Sequence, residues 1–591
     1  MMEILNKLRH EQAIAYFSME IALFQDIPTY SGGLGVLAGD TVRSAADLSI
    51  PFVAVTLLSR KGYFQQTISP EGQQQEIPAA WAIEKFLKPL FPQVFVTIGG
   101  KKVWIRAWAY HWRSIAGGIV PVIFLDTDLE KNDPEDRTIT DYLYGGDQRY
   151  RLKQEIVLGV GGARILEKLG VKVRKYHINE GHAALLTLDL LKKHQRRLEE
   201  VWDESKIWDI QTVRDLCVFT THTPVEAGHD KFDYGLVRRE FEELVPFSIL
   251  QELGGRTNLN MTLLALNLSG YVNGVAKKHS EVSRHMFPGY SIQTVTNGVH
   301  SFTWTAPAFR KLYDSHIPGW AHEPELLSRV DIIPDKAVWD AHQAEKAKLI
   351  DLVRKKTGHE FKPENLTLGF ARRITAYKRP YLLFSNLERL RKVTRQRPLQ
   401  IVYAGKAHPQ DEEGKRIIHH INTIARTLQD SISVAYIEDY GFDIARKIIA
   451  GVDVWLNTPE IPMEASGTSG MKAAHNGVLN FSVLDGWWME GCIEGITGWA
   501  IGREVPEHDD PSARIREELD DLYNKLEYII FPTYYQQIDT WIKLMKNSIG
   551  KIASYFNSHR MMKRYITDAY FHQSFPTKFL NGTPQLHSLI K

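Results

Sequence analysis

The chain has 591 residues, too many for one core at about 150 residues per domain. It is 43% hydrophobic and 24% charged, which excludes a disordered or fibrous polypeptide. Its 72 basic residues nearly balance 70 acidic ones, so the concentrated basic excess of a nucleic-acid-binding protein is absent and a small phosphorylated or neutral substrate is compatible.

Residues 1–12 are charged and lack an apolar signal core, and no run of about 18 apolar residues follows; a cytoplasmic protein with no membrane contact is expected. Short apolar runs then alternate with amphipathic stretches of helical length, the pattern of parallel sheets built from βα units. In the first half, strands are predicted at Ile14–Ser18, Pro51–Leu58, Val120–Leu125, Lys175–Ile178, Leu216–Thr221 and Ile292–Thr296, with helices at Gly35–Leu48, Arg149–Leu169 and Gly181–His194. A boundary is predicted near residue 300, because Trp304–Pro334 is rich in breakers and a new βα series begins after it. That series has strands at Leu366–Phe370, Gln400–Tyr403, Ile432–Ile437 and Val452–Leu456, and helices at Pro380–Val393 and Asp411–Leu428. Arg514–Phe556 reads as helices with no strand behind them, expected to return toward the first domain. The two cysteines, Cys217 and Cys492, sit far apart in apolar runs and read as buried thiols of a reducing compartment. No C-x-x-C or H-E-x-x-H pattern occurs, and no metal site is expected.

The polar residues that interrupt this pattern follow the strands. Asn179, Glu180 and His182 follow Lys175–Ile178, His222 follows Leu216–Thr221, and Asn297, Gly298 and His300 follow Ile292–Thr296. Arg372, Arg373 and Lys378 follow Leu366–Phe370, Gly405, Lys406 and His408 follow Gln400–Tyr403, Glu438, Asp439 and Tyr440 follow Ile432–Ile437, and the loop 457–471 follows Val452–Leu456. One such cluster is as readily turn chemistry as a site. Recurrence beyond the carboxyl ends of strands, where open α/β sheets bind ligands, predicts two domains, 1–300 and 301–591, facing across a cleft. Arg372, Arg373, Lys378 and Arg379 place four cations in eight residues; against a solvated basic loop, the position at a strand end favours phosphate, bound by Arg as a fork and Lys as a point charge.

Two glycine loops stand out. Ser31-Gly32-Gly33-Leu34-Gly35 precedes a helix whose free amides can receive an anion. It also fits G-x-G-x-x-A from Gly33, weakly, since Pro28-Thr29-Tyr30 separates it from the strand. Gly159, Gly161 and Gly162 fall inside a predicted helix and are expected to serve close packing. The second loop, 464–472, reads E-A-S-G-T-S-G-M-K. Its Ser466 and Gly467 let backbone approach a ligand, Thr468 and Ser469 add hydroxyls, and Lys472 falls in the first turn of a helix. A lysine there opposes the helix dipole, which an anion or a covalent cofactor would compensate; a solvated lysine is the plain alternative.

Together with N-G-V-L-N at 476–480 and L-D-G at 484–486, the second loop resembles the cofactor-lysine signature of the glycogen/starch/maltodextrin phosphorylase family. Ser31–Leu37 resembles the family's glycine-rich loop over the substrate phosphate. Arg151-Leu152-Lys153-Gln154-Glu155, Thr221-His222-Thr223, Asn297-Gly298 and the segment from Arg373-Ile374 to Tyr377-Lys378-Arg379 resemble further family segments, in family order from about residue 14 to 490. The resemblance implies two Rossmann-like domains of the GT-B type with a helical carboxyl-terminal end. It implies reversible phosphorolysis, in which an α-1,4-glucan and inorganic phosphate give α-glucose 1-phosphate with retention. It implies pyridoxal 5'-phosphate (PLP) held by Lys472 as a Schiff base, its phosphate acting as proton relay. Lys378, Arg373 and the amides around Gly32 and Gly33 are then implied at the phosphates, Glu464 at sugar hydroxyls, and His222 at the glucosyl unit near C6. Thr468 and Tyr440 are implied beside the cofactor, and Asn297, Ser466 and Gly467 beside the substrate. A homodimer is compatible with the resemblance but not specified by it.

Departures matter too. The chain is shorter than the best-studied members, with little before the first strand, so nucleotide and phosphorylation control is expected to be absent. T-S-G-M-K replaces T-G-N-M-K, and Trp487-Trp488 follows L-D-G where small residues are usual; a sugar platform and plain packing stay equally open. The nearest rival is a nucleotide-sugar glycosyltransferase such as a glycogen synthase, whose corresponding loop often carries two glutamates eight positions apart. Here Glu464 is followed eight positions later by Lys472. A non-catalytic glycan-binding relative is a further rival, against which Lys472, Lys378 and Arg373 argue.

Overall fold

A computed structural model describes residues 8–197, 207–395, 397–503 and 510–571, so residues 1–7 of the charged amino-terminal stretch lie outside it. The first sheet comprises β1 (Ala13–Ser18), β2 (Phe52–Leu57), β3 (Lys88–Ile98), β4 (Lys101–Arg113), β5 (Ile119–Asp126), β6 (Val173–Asn179), β7 (Cys217–Thr220), β8 (Tyr271–Gly274) and β9 (Gln293–Thr294). Their spatial order is β9-β8-β7-β6-β1-β2-β5-β4-β3. Pairing is parallel from β9 to β5 and antiparallel through β4 and β3. Every residue of β1 and β2 is buried, which is why both read as unbroken apolar runs. The β3–β4 hairpin turns on Gly99 and Gly100, with φ of 57° and 74°, a left-handed pair that favours glycine.

The second sheet comprises β10 (Leu366–Ala371), β11 (Leu399–Ala404), β12 (Ser433–Ile437), β13 (Val454–Asn457), β14 (Leu479–Val483) and β15 (Gly498–Ile501). All are parallel, in the order β12-β11-β10-β13-β14-β15. The chain reverses its direction of winding between β10 and β13. The carboxyl ends of these two neighbours form the switch point at which doubly wound sheets bind ligands.

Five helices matter for the site: α1 (Gly33–Asp47), α2 (Gln148–Ile156), α3 (Asp335–Thr357), α4 (Ser469–Ala474) and α5 (Ser558–Tyr565). Helix α2 runs through a π turn at Val157–Gly161 into a further helical stretch, Gly162–Lys168. Its glycines serve packing as expected: a Cβ on Gly159 would stand 2.9 Å from Ala183 O, and one on Gly162 2.7 Å from Phe17. The helix predicted from Pro380 begins only at Leu387, capped by Asn386, whose side chain accepts from the Arg389 amide. Before it the chain makes only a 3-10 turn, Leu382–Phe384, and Asn386, with φ −137°, breaks the helical backbone between the two. The long α3 lies beside the second sheet, where its buried Lys346 Nζ pairs with Asp453 at 2.6 Å. Residues 511–553 are helical apart from a break at Gln537, and the chain then returns to the first half. There Ser558 Oγ lies 2.6 Å from Ser44 Oγ of α1, and the Tyr570 hydroxyl 2.7 Å from His177 Nδ1 of β6. Among the described residues no helix is long and apolar enough to cross a membrane.

Candidate active site

The reversal between β10 and β13 brings the cations after one strand against the long loop after the other. Arg372 Nη2 donates to both oxygens of Glu464, at 2.9 and 2.7 Å, and Lys378 Nζ donates to Oε2 at 2.7 Å. Arg372 also donates to Asn457 Oδ1. Burial alone would raise the Glu464 carboxyl, but Arg372 and Lys378 outweigh it and hold it below the ordinary glutamate range. The Glu464 amide donates to Asp485 Oδ2 at 2.9 Å, and burial pushes the Asp485 carboxyl up to about 7. Glu464, expected from sequence to meet sugar hydroxyls, is thus also the counter-ion of the cations.

Arg373 behaves differently from its neighbour. Its side chain is solvent-accessible, yet it stands among Tyr377 of its own loop and Tyr63, Glu20 and Tyr144 of the first half; burial alone would lower the guanidinium, but these neighbours outweigh it and favour its cation. The guanidinium therefore points into the space between the two sheets. That space is bridged where Gln66 N donates to Asp439 Oδ1 at 3.1 Å, Lys406 Nζ to Phe64 O at 2.8 Å, and Phe442 N to the Tyr30 hydroxyl at 2.9 Å. A cavity of about 330 Å³ opens there, lined by Tyr30, Ser31, Tyr63, Trp81, Lys406 and Tyr440 among others.

On α4, Lys472 is the fourth residue, buried, with Nζ 4.3 Å from the centre of the Trp304 ring. Burial pushes its amine down to about 8, helped by the nearby charges of Arg43 and Arg372 and opposed by Asp40. In the preceding loop Gly467 takes φ 77°, and the buried Ser466 Oγ has no hydrogen-bond partner among the described residues. Thr468 caps α4 without a side-chain bond. Gly470 is small for packing rather than for a ligand, since a Cβ there would stand 2.6 Å from Asn480 Oδ1 and 2.7 Å from Trp487. Burial raises the Tyr440 hydroxyl, and the Arg372 charge lowers it. Trp487 and Trp488 are 2% and 0% exposed, so they pack behind this loop rather than offering a sugar platform.

The first sheet supplies the opposite wall. The amides of Ser31 and Gly32 donate to Glu20 Oε2 at 2.6 and 3.1 Å, and the Tyr144 hydroxyl to Oε1 at 3.0 Å. An internal carboxylate therefore takes two amides that sequence reasoning had left for an anion. A Cβ on Gly32 or Gly33 would meet nothing within 4 Å, whereas one on Gly35 would collide with Glu20 and Tyr30 at 2.7 Å. His222 Nε2 donates to Asn179 Oδ1 at 2.7 Å and its amide to Glu180 Oε2 at 2.7 Å, with Glu180 left-handed at φ 68°. Burial drives the imidazole well below its usual range and keeps the ring neutral. The Asn297 carbonyl accepts from Arg560 of α5 at 2.9 Å, while its buried side-chain oxygen has no partner among the described residues.

A separate buried cluster joins three parts of the chain. Asp47 Oδ2 at the end of α1 accepts from His300 Nε2 at 2.6 Å and His559 Nε2 at 2.8 Å. These donor atoms lie within 4.8 Å of one another, close enough to share a cation. The Thr303 amide donates to His300 Nδ1, however, so the proton of this ring sits on Nε2 and serves Asp47. The cluster is a hydrogen-bonded clasp.

The residues fit a covalent cofactor on Lys472: a buried amine of lowered basicity, an aromatic face, an unpartnered hydroxyl, cations for a phosphate, and two glycines open on their Cβ side. Trp304, Asp40, Glu20 and Asp485 were not assigned from sequence. Trp304 was legible only as part of a breaker-rich segment, and Asp485 only within L-D-G.

A family model described as "Carbohydrate phosphorylase" matches residues 236–494. The chain is 40% identical to the maltodextrin phosphorylase of Thermococcus litoralis, over 96% of this chain and 71% of that one. It is 35% identical to the glycogen phosphorylase of Aquifex aeolicus, over 95% and 86% of the two chains, and 34% identical to that of Mycobacterium tuberculosis, over 94% and 70%.

Proposed function

The chain belongs to the carbohydrate phosphorylase family, and from that premise we propose that it is an α-glucan phosphorylase working at the switch point beyond the carboxyl ends of β10 and β13. It splits an α-1,4-glucan with inorganic phosphate, reversibly and with retention, to give α-glucose 1-phosphate. The observation that carries this reading is one juxtaposition: the buried Lys472 amine on Trp304, close enough to the Arg372–Glu464–Lys378 cluster for Arg372 to lower its basicity. We take residues 1–300 and 301–591 as the two halves of a GT-B fold, with Gly32 and Gly33 facing Arg373 across the cleft.

PLP bound covalently through Lys472 would supply a phosphate group that gives and takes back a proton at the substrate phosphate. Two phosphates in one pocket need fixed positive charge that costs no reorganisation during the reaction. Arg373, already solvent-accessible, receives the substrate dianion first. Lys378 and Arg372 exchange part of their bonding from Glu464 to phosphate oxygens, which frees carboxylate lone pairs for sugar hydroxyls. The amides at Gly33 and beyond complete the anion site, the first two of the loop being taken by Glu20. His222, neutral and fixed by Asn179, offers a rigid edge to the glucosyl unit, with the unpartnered Asn297 oxygen as a further acceptor. Thr468, Tyr440, Ser466 and Gly467 line the cofactor side. A nucleotide-sugar transferase is disfavoured because a lysine stands eight residues after Glu464.

The test is direct. Purified protein should carry PLP that borohydride fixes to the peptide containing Lys472, and maltodextrin should yield glucose 1-phosphate only with phosphate present. Lys472→Ala protein that retained stoichiometric PLP, or glucosyl transfer from ADP- or UDP-glucose, would overturn the assignment.

A further inference from the structure

Helix α1 begins at Gly33 and then buries an acid that the proposed reaction does not use. Asp40 is 0% exposed. Its Oδ2 accepts from Trp304 Nε1 at 2.7 Å, and its Oδ1 lies 3.3 Å from Arg43 Nη1. Arg43 is equally buried, donating to Ala22 O at 3.0 Å and Leu23 O at 2.7 Å and lying over the rings of Trp112 and Phe442. Phe442 packs on Trp304, with ring centroids 5.0 Å apart. Lys472 Nζ lies over that same indole, 4.3 Å from its ring centre.

An ionised acid in such a place is costly unless paired. If Arg43 were its whole purpose, the short bond would go to Arg43; it goes instead to an indole N–H. An indole without that anchor is free to tilt about its side-chain torsions, and tilting would move the surface on which Lys472 rests. We propose that Asp40 is a positioning residue for the cofactor lysine: it locks the plane of Trp304, and the locked indole forms the platform on which Lys472 rests. Arg43 balances the Asp40 charge, so that the carboxylate does not hold the Lys472 amine in its protonated, unreactive form. Asp40 belongs to the first half of the chain and Lys472 to the second, so this bond also makes cofactor seating depend on how the halves meet. The inference rests on the reading that Lys472 carries PLP.

The experiment uses holoenzyme and follows two signals: energy transfer from tryptophan to the cofactor, and the rate at which hydroxylamine strips PLP. Asp40→Ala and Trp304→Phe should each speed stripping about tenfold or more, as expected for loss of one buried charge-assisted hydrogen bond. The double variant should be no faster than either single one, because both remove the same bond. Asp40→Asn, which keeps an acceptor for the indole, should return to within about threefold of wild type. If Asp40→Ala does not fold, Trp304→Phe and Asp40→Asn decide the matter alone. Stripping rates within twofold of wild type in Trp304→Phe, or additive effects in the double variant, would overturn the inference while PLP on wild-type Lys472 leaves the functional reading standing. Wild-type protein with no PLP on Lys472 overturns both.

Discussion

Replacing Glu464 by Gln tests the charge arrangement of the site most directly. In the free protein the Glu464 carboxylate holds two cations at 2.7 Å, and the side chains of Arg372, Lys378 and Glu464 are 12%, 7% and 6% exposed. Gln keeps the size and one acceptor but leaves two buried cations without a counter-ion. Removing one partner of a buried pair costs about 3–5 kcal/mol; with one hydrogen bond retained, a loss of about 2–3 kcal/mol is expected. Phosphate should reverse that loss, because the substrate dianion replaces the missing charge. Removing a like charge ~5 Å from phosphate, at an effective dielectric near 20, relieves about 3 kcal/mol of repulsion for each phosphate charge. Screening takes part of that, and phosphate should bind about tenfold tighter. Turnover should fall about a hundredfold if Glu464 is the acceptor for sugar hydroxyls that we propose. The variant would thus separate KM for phosphate, which drops, from kcat, which also drops. The assays are calorimetric phosphate titration, thermal unfolding with and without phosphate, and steady-state phosphorolysis. Unchanged or weaker phosphate binding, with destabilisation that phosphate does not relieve, would refute Glu464 as the resting counter-ion.

Three further outcomes follow from local geometry. Gly33→Ala adds a methyl into open space and should leave the unfolding temperature unchanged while raising KM for phosphate; Gly35→Ala, which collides with Glu20 and Tyr30 at 2.7 Å, should destabilise the fold. Burial pushes the Lys472 amine down to about 8, so PLP uptake by the apoprotein should rise with pH and level off near there; a rate still climbing above pH ~9.5, toward the ordinary lysine range, would contradict it. Burial would raise the Asp47 carboxyl, but hydrogen bonds from His300 and His559 outweigh it and hold the group well below the carboxylate range. Its folded pKa lies below its unfolded value of about 4, so its stabilisation is present above that pH and lost as pH falls further. Asp47→Asn should therefore lower stability at neutral pH and flatten its decline below pH ~5, read from urea midpoints across pH.

What the sequence reveals follows from how far each feature depends on its own neighbours. Strands such as β1, β2 and β10 are buried at every position and announce themselves as apolar runs. The β3–β4 hairpin was missed because β4 has a partly exposed amino-terminal half, though its Gly99-Gly100 turn was a usable signal. The loop 464–472 was legible for the same reason as the strands: its chemistry is concentrated in nine consecutive residues. Trp304, Asp40 and Glu20 were not legible, because each acquires its role from a residue outside its own segment. Asp40 reaches Trp304 across 264 positions, and no local pattern marks an acid on a buried helix face as the anchor of a distant indole. The same dependence explains Arg372 and Arg373. In sequence they are one basic pair; only the reversal between β10 and β13 sends the first to Glu464 and leaves the second facing the other half. Sequence therefore identifies the chemical groups of such a site well and their pairing poorly. The pairing depends on contacts between segments: the basicity of Lys472, the cations held by Glu464 and the hydrogen bond of the Trp304 indole are all set by residues far away in the chain.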